Sequence, residues 1–153
     1  DGLNLLRVNG RMNNIKIYDS LHDALDLDYS HLRISNIEIK NAGNDCLDLS
    51  AGESSFSNLN LNYCEDKAIS LGEESRSNFN NVEINNSKIG IEIKDSSKSI
   101  MSNVKIKNTP ICVNAFNKKQ EFWGGIVEFN MLECIPEVLN VQKGSLIKVN
   151  YEL

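Results

Sequence analysis

At 153 residues and a formal net charge of −5, the chain has room for one domain, and a nucleic-acid partner would need a local basic patch. The lysines and the four arginines are scattered along the sequence, so we expect no nucleic-acid partner. No run of about 18 apolar residues is present, so we expect no membrane-spanning helix. The four cysteines have no Cys-x-x-Cys spacing, which argues against a zinc site.

A short strand pattern begins at the first residues of the chain and returns at a fixed interval. The pattern is a small residue, then an aliphatic, a polar and a second aliphatic residue, and it recurs every 22 residues. Alternation with period two predicts strands, whose aliphatic side chains each contribute about 1.5–3 kcal/mol when buried. The predicted strands cover residues 3–5, 25–27, 47–49, 69–71, 91–93 and 113–115.

A second pattern, an asparagine before an aliphatic pair, alternates with the first. It occurs at Asn14, Asn36, Asn58, Asn81 and Asn103, with steps of 22, 22, 23 and 22 residues. A repeat of this length cannot enclose its own core, so each copy must be covered by the next, as in a solenoid. We predict an all-β solenoid of six to seven coils of about 22 residues, with the asparagines forming a hydrogen-bonded ladder in a turn.

We predict one domain over residues 1–153, with regular coils over 1–115 and irregular closing coils over 116–153. The first residues already lie in strand register without a capping element, which leaves an apolar end uncovered. The expectation is therefore a fragment of a longer protein. A further hypothesis is end-to-end self-association through this uncovered first coil.

Cys112 and Cys134 are 22 residues apart, so we expect them on neighbouring coils. That geometry allows a disulfide, whereas two buried free thiols are the alternative.

Carboxylates accumulate on the solvent side of the first strand pattern. Strands of neighbouring coils lie about 4.8 Å apart, so Asp26 should face Asp48, and Asp23 should face Asp45. Such a pair repels by about 3 kcal/mol at an effective dielectric constant near 20. A shared proton, a cation bound by the four carboxylates or the amine of Lys67 could relieve this repulsion. The alternative is that Asp23 and Asp45 accept turn amides while Asp26 and Asp48 are solvated.

If a cation is bound by Asp23, Asp26, Asp45 and Asp48, calcium is the expected ion because it prefers carboxylate oxygens. We otherwise expect no cofactor.

Four segments stand one coil apart in these columns, namely His22-Asp23-Ala24-Leu25-Asp26, Asn44-Asp45-Cys46-Leu47, Lys67-Ala68-Ile69-Ser70-Leu71-Gly72 and Glu92-Ile93-Lys94. In these segments the chain resembles right-handed parallel β-helix proteins of the pectin-lyase-like class, and remotely the polygalacturonases. The resemblance implies that Asp23 and Asp45 activate water and that Lys94 binds substrate. The position of the family's general acid is Asn44, which cannot donate a proton to a leaving group. The family's histidine and arginine are replaced by Lys67 and Glu92.

Two functions remain as hypotheses. The first is a non-catalytic β-helix segment of a larger exported protein, serving as a scaffold or binding polysaccharide along the Asp26 and Asp48 face. A fainter resemblance to β-helix segments of large exported bacterial proteins implies an extracellular or cell-surface location, bacterial or phage. The alternative is a divergent hydrolase or lyase acting on an acidic polysaccharide. Its catalytic residues would be Asp23, Asp45 and Lys67, with Asp26, Asp48, Glu92 and Lys94 binding substrate.

Overall fold

The computed structural model describes residues 1–151 and confirms an all-β solenoid of parallel strands. Within these residues there are twelve strands and no helix, so none is available to span a membrane. In chain order the strands are β1 (Leu3–Leu6), β2 (Asn9–Ser20), β3 (Leu25–Asp28), β4 (His31–Ala42), β5 (Leu47–Ser50), β6 (Glu53–Gly72), β7 (Arg76–Lys94), β8 (Lys98–Lys107), β9 (Ile111–Phe116), β10 (Ile126–Cys134), β11 (Leu139–Val141) and β12 (Leu146–Asn150).

The predicted period is confirmed by the strand register. Leu25 pairs with Leu47, and Leu47 pairs with Ile69, so residues 22 apart become neighbours along the solenoid axis. All three side chains are buried, because each coil covers the apolar interior of the one before it. We number the coils 1 (2–23), 2 (24–45), 3 (46–67), 4 (68–89), 5 (90–111), 6 (112–137) and 7 (138–151).

Each regular coil has three flat faces separated by turns. Face 1 carries residues 3–6, 25–28, 47–50, 69–72, 91–94, 113–116 and 139–141. Face 2 carries residues 9–13, 31–35, 53–57, 76–80, 98–102, 126–130 and 146–150. Face 3 carries residues 15–18, 37–40, 59–62, 82–85, 104–107 and 132–134.

The predicted asparagine ladder forms the corner between face 2 and face 3. Asn36, Asn58, Asn81 and Asn103 have φ angles of 59°, 59°, 59° and 55°, a left-handed conformation that asparagine tolerates well. The side-chain amide of Asn58 donates to Asn36 Oδ1 at 3.1 Å, and Asn81 donates to Asn58 Oδ1 at 3.1 Å. Each asparagine therefore turns its own coil and fixes the register of the next.

The interior is filled by columns of aliphatic and aromatic side chains. Phe56 and Phe79 stack with ring centroids 4.5 Å apart and planes 10° apart, and Phe129 is fully buried further along the axis. Offset ring stacking adds about 0.5–1.5 kcal/mol to the hydrophobic contribution of burial. The core is thus a continuous stack along the axis.

Two disulfides join the start and the end of single coils. Cys46 bonds to Cys64 within coil 3, and Cys112 bonds to Cys134 within coil 6, with Cα–Cα distances of 5.4 and 6.4 Å. The predicted placement of Cys112 and Cys134 on neighbouring coils was wrong. Val138 lies over Cys112, because the Val138 carbonyl accepts the Cys112 amide. Coil 6 is longer than 22 residues, so a separation of 22 falls short of one revolution.

Candidate functional site

Face 1 presents one polar side chain per coil in strict register. Asn4 pairs with Asp26, Asp26 with Asp48 and Asp48 with Ser70, as the sequence predicted. Ser70 pairs in turn with Glu92, and Glu92 with Asn114. Because neighbouring strands are about 4.8 Å apart, these groups form a ladder of hydrogen-bonding side chains along the axis.

A second acidic column lies in the turn before face 1 and bonds to the backbone. Asp23 Oδ1 accepts the side-chain amide of Asn44 at 2.7 Å and the backbone amide of Asp45 at 2.9 Å. Asp45 Oδ1 accepts the backbone amide of Lys67 at 3.0 Å. Each carboxylate therefore caps the amide one coil further on, which is the turn-amide alternative raised by the sequence.

Three carboxyl groups of this region hold their protons more tightly than a solvated aspartate. Burial raises the pKa of Asp45 to about 6, against the opposing charge and backbone amide of Lys67. Burial also raises the pKa of Asp26 to about 6, against a 2.5 Å hydrogen bond from Asn4, while the charges of neighbouring aspartates add to the rise. For Asp48, burial again raises the pKa.

Lys67 stands at the boundary between the acidic coils and the later ones. Its Nζ lies 2.5 Å from Asp66 Oδ2 and 3.5 Å from Asp45 Oδ1. Burial alone would lower the pKa of the Lys67 amine, but the hydrogen bond to Asp66 and the charge of Asp45 leave it raised. Lys67 is therefore an ammonium ion at neutral pH.

A hydrogen-bonded network occupies the later part of the ladder. Lys94 Nζ donates to Ser70 Oγ at 2.9 Å and to Glu92 Oε1 at 3.2 Å. Glu92 Oε2 accepts the side-chain amide of Asn114 at 3.1 Å. Glu92 is 5% exposed, and its two carboxylate oxygens bond to different partners. Its charge is therefore paired, and its side chain is held in one orientation.

The carboxylates that converge most closely differ from the predicted calcium set. Oxygens of Asp1, Asp23 and Asp26 lie within 4.8 Å of one another, whereas Asp45 and Asp48 do not join this group. The sequence held a signal for Asp1, which heads the column continued by Asp23 and Asp45. The binding of calcium stays a prediction.

The sequence did not predict the contacts of the irregular loop over residues 117–125. Asp95, which is 1% exposed, accepts the backbone amides of Lys118 and Lys119 through Oδ1, both at 2.8 Å. Trp123 exchanges hydrogen bonds with Ser96, with its amide on Ser96 Oγ at 2.7 Å and its carbonyl on the Ser96 amide at 2.8 Å. The loop backbone is thus fixed, although the Trp123 side chain is 81% exposed.

Parallel coils, an asparagine corner ladder and a polar ladder on one face define a β-helix protein. Residues 1–127 match the family model described as a right handed beta helix region, and the chain belongs to that family. The predicted right-handed parallel β-helix is therefore confirmed. Comparisons with curated proteins and with solved structures find no significant match.

Proposed function

We propose that the chain is a β-helix domain of an exported or cell-surface protein, and that face 1 binds a hydroxyl-rich polysaccharide without cleaving it. The observation that carries this proposal is the ladder of one polar side chain per coil, from Asn4 to Asn114. A linear polymer of hydroxyl groups could meet repeated acceptors and donors along such a line.

The later part of the ladder is preorganised for binding. Lys94 and Asn114 are half-buried and can meet a ligand, and the buried Ser70 and Glu92 hold them in place by hydrogen bonds. Little side-chain entropy is therefore lost on association. Phe116 pairs in register with Lys94 and adds a half-buried aromatic ring beside these polar groups. An aromatic ring beside fixed polar groups is typical of ligand sites.

The chemistry of the acidic turn favours binding over cleavage. Asn44 occupies the position that the polygalacturonase resemblance assigns to the general acid, and its amide donates to Asp23 instead. Lys67, with its raised pKa, is a poor base for abstracting a sugar proton in an elimination. Asp45 is 4% exposed and uses Oδ1 on a backbone amide.

Two disulfides support an exported location, because such bonds persist mainly in oxidising compartments.

A divergent hydrolase or lyase is the second candidate, and one observation favours it. Asp45 combines burial, a pKa of about 6 and a lysine ammonium 3.5 Å away, a combination enriched in catalytic sites. In this alternative Asp45 would exchange a proton with water or sugar, and Asp23 and Lys67 would assist it.

Affinity electrophoresis against a panel of neutral polysaccharides tests the binding proposal. We expect retardation by at least one neutral polymer, with about tenfold weaker binding for Glu92→Gln, because that change breaks the paired network. Glu83→Gln, an exposed change on face 3, is the matched control and should bind as the wild type does. Equal retardation of both variants, or none of the wild type, would contradict the proposal.

The same polymers, together with acidic ones, serve to detect cleavage. We expect neither new reducing ends nor the ultraviolet absorbance of unsaturated products. Product release that Asp45→Asn abolishes would instead establish the enzyme.

A further inference from the structure

Three of the four arginines lie on face 2, and two of them face each other. Arg11 pairs directly with Arg33 on the neighbouring coil, and Arg76 follows two coils further along the same face. Both side chains of the first pair are exposed. Two like charges on adjacent strands destabilise a sheet, so this pair is not explained by the fold.

On other parts of faces 2 and 3, lysines pair with carboxylates of the neighbouring coil. On face 3 Lys16 pairs with Glu38 at 3.7 Å, and at the far end of face 2 Lys148 pairs with Glu128 at 3.4 Å. Within residues 1–151, neither Arg11 nor Arg33 lies within ion-pair distance of a carboxylate. This pair is therefore a local positive centre on a chain whose net charge is negative.

The two guanidinium groups line a shallow groove of about 430 Å³, which we call the arginine groove. None of the described residues along it is acidic. The other outward-facing residues along it are small and polar, namely Asn13, Ser35, Ser55 and Ser57, and the residues between them, Met12, Ile34 and Phe56, pack into the interior. A second groove of about 490 Å³ shares both arginines and adds His31, with Glu53 among its other lining residues.

We propose that the arginine groove binds the carboxylate or sulfate groups of an acidic polysaccharide. A guanidinium presents parallel N–H donors that match the oxygens of either anion, and serine hydroxyls can add further donors. The spacing of about 4.8 Å between coils sets the two guanidinium groups side by side, so that neighbouring anionic groups of one polymer can be held together.

Nucleic acid is the less suitable polyanion. Its dense phosphates call for a long basic surface, whereas here Glu53 follows the pair on the next coil and face 1 is rich in carboxylates. The proposed ligand also differs from that of face 1, because it is recognised by charge instead of by hydroxyl groups, and it lies on another face of the coil. The two proposals can fail separately.

Isothermal titration with polygalacturonate and with dextran sulfate tests the groove, with neutral dextran as the uncharged polymer. We expect binding to at least one anionic polymer that weakens between about 50 and about 300 mM NaCl, whereas any binding of neutral dextran belongs to face 1 and should change neither with salt nor with Arg33→Gln. Arg33→Gln should weaken the binding of the anionic polymer about tenfold at the lower salt concentration. Lys40→Gln removes the same charge from face 3 of the same coil and should change it less than about twofold.

Arg11→Gln is a second variant and should reproduce the loss seen with Arg33→Gln. Thermal melts of both should show folded protein, because both side chains are exposed. Failure of both anionic polymers to bind, or equal losses for Arg33→Gln and Lys40→Gln, would overturn the proposal. Duplex DNA bound as tightly as the acidic polysaccharides would also overturn it, in favour of a general affinity for polyanions. Glu92→Gln should leave this binding unchanged.

Discussion

The two halves of face 1 use the same backbone repeat but treat charge in opposite ways. In coils 1–3 carboxylates stack on carboxylates, as Asp26 does on Asp48, and the region holds protons up to about pH 6. In coils 4–6 Glu92 is neutralised by Lys94 and further bonded to Asn114. Because the interior columns carry the fold, the outward-facing column of face 1 can hold like charges in one half and paired charges in the other. We therefore expect the side-chain charges of coils 1–3 to lower the free energy of unfolding and those of coils 4–6 to raise it.

Removing a disulfide is expected to change stability more than any other substitution considered. Each half contains one disulfide, so the two losses can be compared directly. Replacing Cys46 and Cys64 by serine should lower the free energy of unfolding by about 3 kcal/mol, through the loop entropy returned to the unfolded chain. Replacing Cys112 and Cys134 should cost about as much, since the loops have 18 and 22 residues. Urea denaturation measures both. A loss below about 1 kcal/mol in one half alone would show that the halves differ in more than surface charge.

Lys67 is the one lysine on which the buried Asp45 depends. Lys67→Met should lower the free energy of unfolding by about 2 kcal/mol at pH 7, because Asp45 is left buried beside no cation. The exposed pair of Lys16 supplies the control, and Lys16→Met should cost under about 0.5 kcal/mol. At pH 4 the cost of Lys67→Met should shrink, because Asp45 is then protonated. A loss that is the same at both pH values would count against this account.

The raised pKa values predict a pH dependence of the opposite sign from most acidic groups. Asp26 and Asp45 bind protons in the folded chain up to about pH 6, whereas the unfolded chain releases them near 3.8. Their contribution to stability is therefore fully present below pH 3.8 and is lost as the pH rises through about 6. For Asp45 a pKa of about 6 instead of 3.8 corresponds to about 3 kcal/mol. The more exposed Asp26 should add less, so we expect a loss of about 3 kcal/mol between pH 4 and 7. Thermal melts of the wild type and Asp45→Asn should show a flatter profile in the variant.

The smallest expected effect is a change in the free energy of unfolding that has opposite signs in the two halves of face 1. Asp26→Asn should stabilise the protein by about 0.5 kcal/mol at pH 7, since it removes a carboxylate that faces Asp48. Glu92→Gln should destabilise it by about 1 kcal/mol, because Lys94 loses its partner. Denaturation curves of both variants, run together, decide the matter. Two changes of the same sign would erase the distinction between the halves.

The sequence predicted those contacts that follow from the period alone. A parallel ladder places residue i beside residue i+22, so the aliphatic columns, the asparagine corner and the facing of Asp26 and Asp48 could be read directly. The one step of 23 residues, before Asn81, is accommodated in the turn between Gly72 and Arg76, where the register shows one additional residue.

Contacts that cross a turn or skip a coil could not be predicted from the period. Cys46 meets Cys64 after 18 residues, across a corner whose angle is set by backbone conformation. Lys119 bonds to Glu73 two coils away because the loop folds back along the axis. The facing of Arg11 and Arg33 followed from the same spacing as the aspartate pairs, but its significance depended on the groove around it.

The disulfides also decide how the solenoid would respond to a pull on its two ends. Coils peel from a parallel β-solenoid one at a time, and each released residue adds about 3.3–3.6 Å of slack. A disulfide within one coil prevents the residues between its two cysteines from extending. In coil 3 this removes about 60 Å from the length of the fully stretched chain. Under oxidising conditions the stretched chain should therefore be shorter than its full length, and a reductant that breaks the disulfides should restore the difference.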